Sequence, residues 1–213
     1  MTKAEIDEIL GADLGRALAP DGFAYAKATK WIVREVNDIK QIISWSYTTS
    51  GMGFVVTPAL GARSEEILSI FKRVSPIKPA DEKSRRTLSV DIWRLAGQRS
   101  RGEFKVTSQA EAAEAAAAIV RLVRSDAFPF FERCGSVADI DRLFNTDPNS
   151  QASRLLSLDN WTRCANALIA ARLAGNQRYD GLVDAYRTLL AGFSGGQFLP
   201  QFEALVKLLE TVD

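Results

Sequence analysis

Residues 31–48 read WIVREVNDIKQIISWSYT, and the reading of this stretch decides the fold. Thr29 to Val36 is rich in β-branched and aromatic residues, which suit a pleated surface. Asn37-Asp38 predicts a two-residue hairpin turn, because both residue types tolerate a left-handed backbone. From Ile39 to Thr48 the side chains alternate. Ile39, Ile43, Trp45 and Tyr47 share one face, with Gln41 as its polar exception; Lys40, Ile42, Ser44, Ser46 and Thr48 share the other. The expectation is an antiparallel hairpin with one face on a core, to which Trp45 belongs.

Towards the N-terminus, Thr2-x-x-Glu5 reads as a capping box. Behind it Ile6, Ile9, Leu10, Leu14, Ala17 and Leu18 recur at helical spacing. Pro20-Asp21-Gly22 ends this helix, and Phe23 and Tyr25 alternate with small residues as a first strand. On the other side, Ser50-Gly51 breaks the hairpin's second strand. Phe54-Val55-Val56 continues as a further strand up to Pro58.

Ser64 is placed to cap a helix whose stripe is Ile67, Leu68, Phe71 and Val74. Residues 76–86 (PIKPADEKSRR) read as an exposed charged loop. Thr87 to Leu95 is expected to be a strand, with Leu88, Val90 and Ile92 on one side and Ser89, Asp91 and Trp93 on the other. Gly97 to Gly102 is a basic turn, and Glu103 to Val106 the returning strand. Ser108-x-x-Glu111 is a second capping box, opening an alanine-rich helix whose small side chains let it lie close to the sheet. An aromatic knot, Phe128-Pro129-Phe130-Phe131, follows, and Ser136 caps a short helix.

Residues 145–151 (NTDPNSQ) read as a linker, beyond which only helices are expected: Leu158 to Ala174, Arg178 to Ala191 and Phe198 to Leu209. The first two resemble one tetratricopeptide-type hairpin, with no second copy at the repeat's period. The predicted class is α+β: an antiparallel meander sheet of about five or six strands packed on helices over residues 1–145, then an all-helical extension over residues 152–213.

Composition narrows function. The chain has no histidine, which excludes a Ser-His-Asp triad, a Cys-His pair and histidine metal sites. Cys134 and Cys164 sit in apolar helical patterns without a CxxC spacing, so buried free thiols are expected and no metal is. The opening MTKAEIDEIL lacks a secretory leader's apolar core, and no apolar run approaches the ~20 residues a membrane helix needs. A cytoplasmic protein without a membrane partner is the expectation. Net charge is only +1, yet residues 72–105 carry ten Lys/Arg against four Asp/Glu. This is a solvated loop region, or a site where Arg85, Arg86, Arg94, Arg99 and Arg101 meet phosphate. The glycine stretches at 51–53 and 192–196 match no phosphate-loop pattern and read as turns. No cofactor is expected.

The order of features resembles a known family. A starting helix, an LxPxGF-like turn (Leu18, Pro20, Gly22, Phe23) and Trp-bearing strands come first. Asp91-Ile92-Trp93, an alanine-rich helix, and Phe128-Pro129-Phe130-Phe131 before Ser136-x-x-x-Ile140 follow. This resembles the bacterial domain of unknown function numbered 4304, over about residues 4–145. The resemblance implies the fold and a bacterial cytoplasmic setting; the family carries no established activity, so it assigns no catalytic residue.

The candidate binding residues are Asp91, Trp93, Arg94, Arg99 and Arg101, with no catalytic and no metal residue assigned. The leading expectation is a non-catalytic binding or interaction protein, of immunity or adaptor type, whose partner is another protein. One alternative is a histidine-free hydrolase or transferase using Asp91, with Arg94 holding an anionic substrate. Another is weak nucleic-acid binding through residues 72–105. The near-neutral charge and the lack of a recognition motif stand against it.

Overall fold

The structure, a computed structural model, describes residues 1–51, 53–75, 82–95, 97, 102–156 and 159–212. It is a mixed α+β fold. Six strands form one sheet: β1 (Ala24–Ala26), β2 (Trp31–Val36), β3 (Ile39–Ser50), β4 (Gly53–Ser64), β5 (Leu88–Asp91) and β6 (Phe104–Val106). The order is β1-β2-β3-β4-β5, with β6 also on β4. The described helices are α1 (Lys3–Leu18), α2 (Glu65–Val74), α3 (Ile92–Leu95), α4 (Gln109–Leu122), α5 (Phe128–Glu132), α6 (Val137–Asn145), α7 (Gln151–Arg154), α8 (Asn160–Leu173), α9 (Tyr179–Ala191) and α10 (Leu199–Leu209). None of them is long and apolar enough to cross a membrane.

Local sequence signals account for most boundaries. Both capping boxes form: the Thr2 and Ser108 side chains each accept from the third helical N–H, and Glu5 and Glu111 reach back. Asn37 and Asp38 take φ of 47° and 66°, the positive pair that a tight hairpin turn needs. β4 runs past Pro58 to Ser64, further than expected. β6 pairs only with Phe54–Val56, so the missing proline N–H falls outside that ladder. The expected strand Thr87–Leu95 is a correction: β5 ends at Asp91, and Ile92–Leu95 turns into α3. An aspartate favours this exit, because its side chain competes with the ladder for backbone partners. Asp91 and Trp93 therefore do not share a strand face.

The described residues divide into two compact units. One is Met1–Val36, Lys40–Gly61 and Val90–Glu132; the other is Asn37–Ile39, Ala62–Ser89 and Arg133–Asp213.

In the first unit α1 buries Ile6, Leu10, Leu14 and Leu18. The alanine face of α4 is spent chiefly on α1, and also on β6. Tyr25 lies so close to α1 that a Cβ at Gly11 would sit 2.3 Å from its ring. Gln41, the polar exception, is only 2% exposed. Its amide donates to the Phe131 carbonyl at 2.8 Å, and its Oε1 accepts from Arg34 Nε and Nη2 at 3.0 and 2.7 Å. Arg34 also donates to the Asp21 carbonyl and lies over the Phe23 ring, which stacks on Phe128. The polar residue is thus in the core because every group it carries is satisfied.

Trp45 is another correction, being half-buried rather than core. Its indole N–H donates to Asp7 Oδ1 at 2.8 Å; the Tyr47 hydroxyl and Lys30 ammonium also donate to Asp7. Asp7 is 4% exposed. Burial pushes its carboxyl up, but the bonds from Lys30, Tyr47 and Trp45 outweigh this and hold it below the usual aspartate value. Burial, then the bond to Asp7, pushes the Tyr47 phenol well up, so it stays a donor.

In the second unit α8 is buried nearly all round, through Trp161, Cys164, Ala165, Ala167, Leu168, Ile169, Ala170 and Ala171. It packs against α2, α6, α9 and α10. Asn145, at the start of the expected linker, is buried: its Nδ2 donates to Asp141 and to the Ala167 carbonyl, and its Oδ1 accepts from Tyr186. Burial pushes both thiols, Cys134 and Cys164, up to about 12.

Asp7→Ala removes the acceptor that Trp45, Tyr47 and Lys30 share, and is expected to cost about 3 kcal/mol at pH 7 by urea denaturation. Because the folded-state pKa of Asp7 is lowered, its contribution is present above pH ~3.8 and lost as pH falls through the lower folded value. The difference in stability between native chain and Asp7→Asn is therefore expected to shrink below pH 3.8; a constant difference would refute it. Asp38→Gly, which suits the turn's positive φ, is expected to stabilise the chain by about 0.5–1 kcal/mol in the same measurement.

Candidate anion-binding site

The segment Ser84–Ser89 enters β5 through a residue that is fully buried, Thr87. Its N–H donates to the Ala62 carbonyl at 2.9 Å, its Oγ1 accepts from the Ser64 N–H at 2.9 Å, and its carbonyl accepts from Asn166 Nδ2 at 2.7 Å. These bonds fix the end of β4, the start of α2 and the flank of α8 around one residue. Ser89 N–H extends the anchoring by donating to the Leu156 carbonyl at 2.8 Å.

Arg85 and Arg86 precede this anchor and line a cavity of about 230 Å³ together with Ser84, Thr87, Leu88, Ser89, Asp159 and Thr162. The Arg85 guanidinium lies 4.4 Å from the Phe71 ring centroid and donates from Nη2 to Thr162 Oγ1 at 2.9 Å. Phe71 is backed by Trp161, which stacks on Phe198. Arg85 is thus fixed on an aromatic wall. Arg63 braces the loop from below, donating to the Glu82 and Arg85 carbonyls while its Nε and Nη2 grip Glu65. Arg86 is half-buried and donates to Ser89 Oγ at 3.1 Å. Burial pulls its guanidinium down to about 10, so it remains a cation at neutral pH but a poorly solvated one.

Asp159 is exposed at the cavity and caps α8, accepting from the Thr162 N–H at 2.6 Å. The lining therefore offers two guanidinium groups, several hydroxyls and one carboxylate. Such donors hold an oxyanion. Catalysis would further require an acid or base in reach of the bound group, and among the described residues Asp159 is the one carboxylate lining the cavity.

The candidates read from sequence fall elsewhere. Asp91 closes β5 and forms an ion pair with Arg94 at 3.3 Å. Arg94 lies 4.7 Å from the Trp93 ring centroid, and Trp93 packs on Gly102, where a Cβ would sit 2.5 Å from its own Cβ. Arg94 thus meets both Asp91 and Trp93. Arg99 and Arg101 lie outside the described residues, as does most of the expected basic turn. On the β3 face that carries Ser44, Ser46 and Thr48, Ser44 is buried and Ser46 and Thr48 are exposed. Of the arginine-rich segment, it is Arg85 and Arg86 that reach a cavity. Asp159 and Thr162 were missed, because their only sequence signal is a helix start 73 and more residues further on. No group of three carboxylates or thiols placed to hold a metal occurs among the described residues.

No protein-family model, curated protein or solved structure matches the chain.

Thr87→Val keeps the shape but leaves the buried Ser64 N–H without its acceptor. It is expected to destabilise the chain by about 1–3 kcal/mol in a chemical melt, while Ser84→Ala stays within about 0.5 kcal/mol of native.

Proposed function

We propose that this chain is a non-catalytic bacterial cytoplasmic binding protein that captures an oxyanion, such as a phosphate group, in the cavity of Arg85 and Arg86. The observation that carries it is the lining. An aromatic wall and Thr162 hold Arg85, and Arg86 is a desolvated cation beside Ser89. An incoming anion meets donors already in place and loses little to their ordering. The kinship to domain 4304 belongs to the same proposal and adds no residue to the site.

This reading differs from a hydrolase built on Asp91, whose partner Arg94 is engaged with Asp91 and Trp93. Nucleic-acid binding fits less well, since the cavity is small and Arg85 covers the aromatic face that a base would use. A protein partner enters as one carrying such an anionic group.

Calorimetric titration of the full chain with inorganic phosphate at low salt is the test. Saturable binding is expected, weakened on the order of tenfold in Arg86→Gln and unchanged in Lys83→Gln, whose side chain is outside the cavity. Equal phosphate affinity in native chain and Arg86→Gln overturns the proposal, as does the absence of saturation.

A further inference from the structure

The geometry points to a ligand in which the anion is carried by a polyol: a small phosphorylated sugar or sugar alcohol. This inference rests on the oxyanion reading and extends it to the rest of the ligand.

The cavity lining divides into two chemistries. Arg85 and Arg86 supply cationic donors, whereas Asp159 supplies an acceptor with a full negative charge. A bare anion gains from the first and is repelled by the second. Asp159 Oδ1 already accepts from the Thr162 N–H, while its Oδ2 takes no hydrogen bond from a described residue. A ligand that presents a hydroxyl to Oδ2 while its phosphate meets the arginines uses both halves of the site. It also turns the rim charge from a penalty into a charge-assisted hydrogen bond.

The remaining lining narrows the choice. Ser84, Ser89 and Thr162 bring hydroxyls, which both donate and accept and so match the same capacity on a polyol. Among the described residues of the lining, Leu88 is the one aliphatic side chain. The volume of about 230 Å³ lies below the range of roughly 300–1,000 Å³ that holds drug-sized ligands, which suits a compact ligand over a dinucleotide.

Calorimetry with inorganic phosphate, glucose 6-phosphate and glucose on the full chain tests this. Glucose 6-phosphate is expected to bind about tenfold tighter than phosphate, and glucose not to saturate. In Asp159→Asn that advantage should fall to about threefold or less, while phosphate binds as well as before or better. Asparagine preserves the helix cap, and Asp159→Ser, which also caps, repeats the measurement independently. Equal native affinities for phosphate and glucose 6-phosphate overturn the polyol inference. So does an Asp159→Asn chain that tightens both ligands alike, since Asp159 would then only repel. In either case phosphate binding that still depends on Arg86 leaves the oxyanion reading standing; if phosphate fails to bind, that reading falls too. Vesicles of phosphatidylcholine containing phosphatidylinositol phosphate separate a lipid headgroup from a free ligand. Binding to these vesicles without binding to glucose 6-phosphate overturns a soluble ligand.

Discussion

Thr87 uses every polar atom it has, and the candidate site depends on that. Its N–H, hydroxyl and carbonyl are bound to Ala62, Ser64 and Asn166, and no part of it reaches solvent. A buried threonine with all groups satisfied has one position and one rotamer, since losing any of the three bonds strands a polar group in the interior. Arg85 and Arg86 inherit that position through the backbone. Their side chains are then fixed by local partners, Phe71 and Thr162 for Arg85 and Ser89 for Arg86. The charged cavity is a consequence of a neutral anchor beneath it.

The same principle recurs through the molecule. Gln41 and Asp7 are polar groups placed where apolar side chains would ordinarily sit, and both are saturated with hydrogen bonds. Gln41 also fixes Arg34, whose guanidinium then covers Phe23 and Phe128. Asn145 plays this part among Asp141, Ala167 and Tyr186. Satisfied polar networks of this kind give geometric uniqueness more than net stability, because each bond mainly offsets desolvation. They specify where helices and loops stop, while the apolar faces of α1, α4 and α8 supply the burial.

The basic segment illustrates how charge excess and binding geometry diverge. Ten cationic residues lie within 72–105, and the described ones are engaged in different ways. Arg94 is spent on Asp91 and Trp93, and Lys72 on Glu82. Arg85 and Arg86 line a cavity next to the backbone anchored at Thr87, and an aromatic wall backs Arg85. Placing Asp159 in the same lining gives that cavity a second, opposite preference, which a simple count of charge would have hidden.

Features governed by neighbours three or four residues apart were legible in the sequence. The capping boxes at Thr2 and Ser108, the Asn37-Asp38 turn and the Ser64 and Ser136 caps all depend on local backbone chemistry, and all form. The α+β class followed from the change of period along the chain. Tertiary structure alone decided what depends on distant partners. It took Gln41 into the core because Phe131, 90 residues away, offers a carbonyl. It turned the chain into α3 after Asp91, where alternation of apolar residues continued unbroken to Ile92 and so concealed the strand's end. It brought Thr162 to Arg85 across 77 residues of chain. A one-dimensional pattern records which face a residue prefers; which other residue waits on that face is set only when helices and strands close on one another.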